Sequence, residues 1–180
     1  TLPPHLWHGH EMLFGYAGAA VAGFFLTAAP SWTGREPVRG LPLGALALVW
    51  LAGRIAMWSA AVLPPPLVAA LDLAFVPFLA VLVVRALSGG WSWRNAIFLP
   101  VFAALFAGNV LFHLDAAGIA PGLGARGLVL ALDAVLFLIA VLGGRVVPAF
   151  TTNALRRAGE ERLPVSRPPV EAAALLSVAL

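Results

Sequence analysis

The sequence predicts an all-α, polytopic transmembrane bundle, and three observations carry that prediction. Hydrophobic residues make up 61% of the chain and charged residues only 11%, against about 45–50% and about 25% in soluble domains. Five apolar runs approach the roughly 20 residues a helix needs to cross a bilayer. Most of the arginines fall between those runs rather than within them. Helices are expected because a backbone in lipid must satisfy its own hydrogen bonds, and no period-2 alternation suggests a barrel.

The predicted spans cover residues 10–30, 41–62, 66–87, 95–115 and 125–147, with a sixth run starting near 170. Pro3-Pro4 can open the first helix and Pro30 lies where it is expected to end. Pro64-Pro65-Pro66 joins spans two and three, and Ser88-Gly89-Gly90 follows span three. Residues 1–180 are read as a single membrane-embedded domain. Because the run near 170 is cut short, the chain is expected to be a fragment of a longer protein with further spans.

Arginine supplies all the basic charge; lysine is absent. With alternating spans, Arg35, Arg39, Arg85, Arg94, Arg156, Arg157, Arg162 and Arg167 fall on one side and Arg126 on the other. That bias predicts a cytoplasmic arginine side. The amino-terminal segment then faces outward, towards the periplasm of a bacterium. The net charge of +3 carries no basic stripe suited to reading bases, so nucleic acid is excluded as a partner. Cysteine is absent, which removes disulfides, thiolate metal sites, iron–sulfur clusters and covalently attached haem. Gly143-Gly144-Arg145 lacks the Lys-Ser/Thr of a phosphate loop, and no Ser/His/acid spacing assigns an enzymatic reaction. Ala154 to Arg167 reads as a solvated loop.

The chemistry concentrates in His5-Leu6-Trp7-His8-Gly9-His10-Glu11, three of the four histidines at the start of a span. Imidazole is the commonest protein metal ligand, and ionisable groups at a span are rare without a function. Alternating topology brings His113 and Asp115, at the end of span four, to the same face. At about 1.5 Å rise per residue, Arg54, Asp72, Asn109 and Asp133 lie roughly 8–15 Å below it. The Pro64–Pro66 hairpin places Arg54 and Asp72 at similar depth. They are read as a packing ion pair, or Arg54 as an anchor for an anionic group such as a haem propionate.

Helical phase, about 100° per residue, puts His5, His8, Met12, Gly15 and Ala19 on one stripe. Gly15, Ala19 and Gly23 form a small-residue ridge for a close neighbour, so His8 is expected to face another helix. His10 lies about 200° from His8, above Phe14, Ala17, Val21 and Phe24. On span four, Phe102, Phe106, Asn109 and His113 make one stripe that suits a planar macrocycle. The expected site therefore joins spans one and four, with His8 and His113 as its firmest members. The metal set is His5, His8, His10 and His113, and the cofactor contacts are His8, His113 and Arg54. Glu11, Asp72, Asn109 and Asp133 are expected to support those ligands. A b-type haem takes two imidazoles and a copper site two or three, so four histidines fill one such site comfortably.

Several stretches resemble the NnrS family. They are Trp7-His8-Gly9-His10-Glu11-Met12-Leu13-Phe14-Gly15, Phe24-Phe25-Leu26-Thr27-Ala28-Ala29-Pro30-Ser31-Trp32-Thr33-Gly34-Arg35, Leu51-Ala52-Gly53-Arg54, and Gly143-Gly144-Arg145-Val146-Val147-Pro148-Ala149-Phe150-Thr151-Thr152-Asn153. The resemblance implies a multi-pass protein of the bacterial inner membrane that contains haem and copper. It also implies a role in denitrification and the response to nitric oxide, with nitric oxide or another small diatomic molecule as ligand. Two competing expectations stand beside it. One is a transporter or permease with Arg54, Asp72, Asn109 and Asp133 along its pathway and helices broken near the midplane, Pro77 being the interior breaker. The other is a cofactor-free membrane assembly subunit.

Overall fold

The fold was analysed in a computed structural model that describes residues 3–90, 93–160, 164–165 and 167–179. These residues are mostly helical and contain no strand. Five helices are long and apolar enough to cross a membrane: α1 (Pro4–Thr33), α2 (Leu41–Trp58), α3 (Pro65–Leu87), α4 (Phe98–Ala116) and α5 (Leu123–Arg157). A further helix, α6 (Pro168–Ala179), has 12 residues, where the sixth apolar run was expected to begin. Of the arginines used to orient the spans, Arg162 lies outside the described residues.

Where the sequence suggests one membrane-embedded domain, Cα proximity groups the chain into two compact units, Thr1–Leu132 and Asp133–Leu180. The first holds α1 to α4 and the opening turns of α5. The second holds the remainder of α5 and α6. With 35 residues, α5 is about 52 Å long, well beyond a hydrocarbon core of about 30 Å. Its charged end, Arg156-Arg157, has length enough to reach water.

Local sequence explains the helix ends and irregularities. Proline occupies the first turn of α1, α2 and α3, where its missing N–H costs nothing. Helix α1 runs through Pro30 and ends one turn later. There Gly34 adopts φ 69° and donates its N–H to the Pro30 carbonyl at 2.9 Å. The Thr33 hydroxyl ties that end to α3 by donating to the Ala86 carbonyl at 2.8 Å. Within α1, Glu11–Ala17 is wound as a π-helix. Helix α3 is interrupted at Ala74, between Pro65–Leu73 and Phe75–Leu87. Pro77 has no N–H for the Leu73 carbonyl and its ring crowds that turn, which accounts for the break.

Two faces differ from their expected phase. On α1 the buried residues are His10, Phe14, Gly15, Ala22, Phe25, Leu26, Ala29 and Pro30. Met12, Ala19 and Gly23 are exposed, and open space surrounds Gly23. The phase follows the residue whose polar group finds partners inside the bundle, His10, and the π-helical winding shifts the face again. On α4 the buried face carries Phe98, Phe102, Leu105, Asn109, Phe112 and His113, while Phe106 reaches the surface. Phe98 packs edge-on against Phe25 with ring centroids 4.7 Å apart.

The close crossing of α4 with the start of α5 has no counterpart in the expected ridge. A Cβ on Gly108 would lie 2.5 Å from the Gly127 carbonyl oxygen, so the two backbones touch there because neither residue has a side chain. We expect Gly108→Ala to destabilise the bundle by about 1–3 kcal/mol through overpacking. Gly23→Ala, facing open space, should be neutral or slightly stabilising because alanine is the better helix former. Thermal unfolding of the detergent-solubilised variants measures both; equal shifts would contradict the crossing.

Candidate buried metal centre

Four helices each send polar side chains to one level of the first unit. Helix α1 supplies His10 and Glu11, α2 supplies Arg54, α3 supplies Asp72, and α4 supplies Asn109 and His113. All except Glu11 are buried, His10 completely (0% exposed) and His113 nearly so (7%). Such groups persist inside a membrane protein only when they satisfy one another.

Asp72 is the point on which they converge. Its Oδ2 accepts from His10 Nε2 at 3.1 Å, His113 Nε2 at 2.9 Å and Asn109 Nδ2 at 2.8 Å. Its Oδ1 accepts from Arg54 Nη2. Arg54 Nη1 donates in turn to Glu11 Oε1 at 2.5 Å. That same Glu11 oxygen lies 3.1 Å from His10 Nδ1. Both nitrogens of His10 thus face carboxylate oxygens, and Nε2 also lies 2.9 Å from Asn109 Oδ1. Arg54 lies against both carboxylates and offsets their charge, which a low-dielectric site penalises when unpaired. Arg54 Nε has no partner among the described residues, leaving the centre one buried donor to spare.

The backbone is shaped around these contacts. A Cβ on Gly53 would lie 3.2 Å from Asp72 Cα, and one on Gly15 would lie 3.1 Å from Arg54 Nη1. Glycine at both positions lets α2 meet α3 and lets the guanidinium lie against α1. Trp50 Nε1 donates to the Gly15 carbonyl at 3.0 Å and so pins the π-helical stretch. The His10 ring packs between Phe14 and Phe112, with centroids 4.8 and 4.4 Å away. The break in α3 comes two residues after Asp72.

One atom from each of His10, Asp72 and His113 can be chosen so that all three lie within 4.8 Å of one another. Two imidazole nitrogens and a carboxylate oxygen form a donor set suited to a transition metal. His113 also lines a half-open cavity of about 490 Å³, with Leu6, Trp7, Met57, Trp58 and Phe112 among its walls. Asp115 borders this cavity too. Its carboxylate accepts the N–H groups of Gly122 at 3.1 Å and Gly124 at 2.7 Å, which caps the start of α5.

The structure thus brings together His10, His113, Arg54, Glu11, Asp72 and Asn109. The expected Arg54–Asp72 pair is present. His5 and His8 are exposed on the first turns of α1 and make no contact with the cluster, so His10 stands where His8 was expected beside His113. The reason is depth as well as phase: His10 sits about 3 Å further along the helix axis than His8, level with Asp72. Asp133 is exposed on α5 in the second unit. Sequence reasoning placed His10 above Phe14 at i+4 spacing but gave no warning of Phe112 on its other face or of Glu11 at its second nitrogen.

A double-mutant cycle tests the pairing. Asp72→Leu should cost about 3–5 kcal/mol because it strands Arg54 and His10. Adding Arg54→Met should recover part of that loss, as read by unfolding in detergent; strictly additive effects would argue against a direct pair.

In the comparisons with known proteins, no curated protein and no solved structure matches the chain. The family model described as NnrS protein matches residues 1–180. The chain therefore belongs to the NnrS family.

Proposed function

We propose that this protein binds copper at the His10–Asp72–His113 centre and acts on or responds to nitric oxide at the outer face of a bacterial inner membrane. The observation that carries the proposal is the convergence of two imidazole Nε2 atoms on one buried carboxylate oxygen, inside a membrane-spanning bundle. Membership of the NnrS family supports a nitric-oxide-related role at a membrane. The arginine bias supports a periplasmic position for the end that carries the cavity.

The residues suit copper. His10 and His113 offer nitrogen, and Asp72 offers anionic oxygen. A bound ion would replace the protons that now bridge these groups. Glu11 and Asp72 would offset its charge together with that of Arg54, while Phe14 and Phe112 hold the His10 ring and exclude water. When bound, copper would supply a redox-active centre able to take a small diatomic ligand. Nitric oxide, small and apolar, can reach that depth from lipid or from the cavity.

Haem does not fit between the same two histidines. Their ring centroids are 5.7 Å apart in an edge-on arrangement, both Nε2 atoms point at Asp72, and Phe112 fills the adjoining space. A flat macrocycle between two imidazoles has no room there. His5 and His8 are the imidazoles left for haem, at the exposed start of α1.

One observation favours a second reading, a transporter. The π-helical stretch of α1 and the break in α3 flank the same buried charges, and interrupted helices at that position occur in ion-coupled transporters. Substrate flux into liposomes containing metal-free protein would select this reading. A colourless, stable protein without metal or flux would select an assembly role.

Copper binding is tested by equilibrium dialysis and electron paramagnetic resonance of the full-length protein. We expect one tightly held copper with nitrogen hyperfine structure. His10→Ala or His113→Ala should weaken it at least ten-fold, whereas His5→Ala/His8→Ala should retain it. Unchanged copper content in the His10→Ala/His113→Ala double variant would sink the assignment.

A further inference from the structure

The half-open cavity of about 490 Å³ lies where α1 and α3 start and α2 and α4 end. It is lined by Pro3, Trp58, Pro65 and Ala116 among others, and its size is within the range of small-molecule sites, roughly 300–1,000 Å³. Its walls are mostly apolar and partly aromatic. Trp7 and Trp58 meet edge to face with centroids 5.6 Å apart. Trp7 is held in place because its Nε1 donates to the Met57 carbonyl at 3.3 Å. Beneath them Met57, Val68 and Phe112 close the floor as part of one apolar cluster.

Besides the two indoles, His113 and Asp115 are the polar side chains that line this space among the described residues. The Asp115 oxygens are already engaged by Gly122 and Gly124 at the start of α5, whose positive dipole end offsets the carboxylate charge. That disfavours an organic cation. Among the described residues no arginine lines the cavity, which disfavours phosphate and carboxylate ligands. His113 differs. Its Nε2 is committed to Asp72 as a donor, so in the neutral ring Nδ1 is an acceptor, and no hydrogen bond engages Nδ1 among the described residues. An apolar, partly aromatic slot with one imidazole acceptor at its wall suits a flat ring that carries a hydroxyl group.

We propose that this cavity binds the head group of a membrane-soluble quinol, one ring hydroxyl donating to His113 Nδ1 and the ring lying against Trp7 and Trp58. The tail would leave through the open side into the membrane. The site stands on the cavity and on His113; were copper held on His113 Nε2, the ring proton would sit on Nδ1, which would then donate to the ring oxygen instead.

Isothermal titration of the full-length protein, stripped of copper with a chelator and kept in detergent, with decylubiquinol tests the proposal. Two controls carry the same ten-carbon tail: the di-O-methyl ether of decylubiquinol, and decyltrimethylammonium. Saturable binding of the quinol is expected, with the ether at least ten-fold weaker and the ammonium compound unbound. Ala61→Phe on the α2–α3 connection and Ala116→Phe at the end of α4 should each weaken quinol binding at least ten-fold by filling the cavity. Melting temperature, and copper uptake when the metal is returned, should stay unchanged in at least one of them. Equal affinity for quinol and ether would overturn the His113 contact. Full binding to a stably folded Ala61→Phe or Ala116→Phe protein, or tighter binding of the ammonium compound, would overturn the site. A protein that takes up no copper on dialysis yet binds quinol would leave this inference standing while removing the copper proposal.

Discussion

The Asp72 carboxylate is the constraint around which the first unit is organised. A carboxylate removed from water inside a membrane is very costly unless its lone pairs are filled. Here one oxygen accepts from His10, His113 and Asn109, and the other from Arg54. Those donors sit on α1, α4 and α2, so a single side chain of α3 ties the other three helices to one depth. Lipid tails are as apolar as leucine and supply little force for helix association. Satisfying this carboxylate sets both the register and the rotation of the helices, and the apolar packing then follows.

The irregular backbone gathers at the same level. The π-helical stretch starts at Glu11, immediately after His10, and the break in α3 comes two residues beyond Asp72. Gly15 and Gly53 lack side chains where Arg54 and Asp72 must approach. Regular winding aims side chains at fixed angles, so six polar groups from four helices do not converge without local adjustment. π-Helical turns are frequent at functional sites, and here the turn is pinned by Trp50 through the Gly15 carbonyl. Pro77 acts from a distance of five residues: by freeing the Leu73 carbonyl it bends α3 just past the carboxylate.

How far the sequence foretells this site depends on how many helices each feature involves. The spans follow from composition alone, because bilayer thickness sets their length. The Arg54–Asp72 pair follows from one hairpin, since Pro64–Pro66 fixes the relative depth of two neighbouring spans. Asn109 and His113 share a stripe on one helix and arrive together. The choice between His8 and His10 required the true phase of α1. A uniform 100° step carried from His5 to Gly23 ignores the π-helical stretch between them, and it favoured a glycine ridge over the Phe14–Phe25 face. The Gly108–Gly127 crossing needs the rotation of two helices at once.

The two imidazoles that share Asp72 Oδ2 are not equivalent. His10 is wholly enclosed, with Phe14 and Phe112 on its faces and Glu11 on its second nitrogen. His113 borders the cavity and keeps its second nitrogen clear of protein partners among the described residues. Any molecule entering from that end meets His113 first and reaches His10 only through the centre itself. Hydrogen bonding reinforces the difference, because His10 is held by Glu11 as well as Asp72, whereas Asp72 alone holds His113. His113 is therefore the member of the pair whose hydrogen bonding can change with least disturbance to the rest. It links a rigid, hydrogen-bonded interior to a cavity that outside molecules can enter.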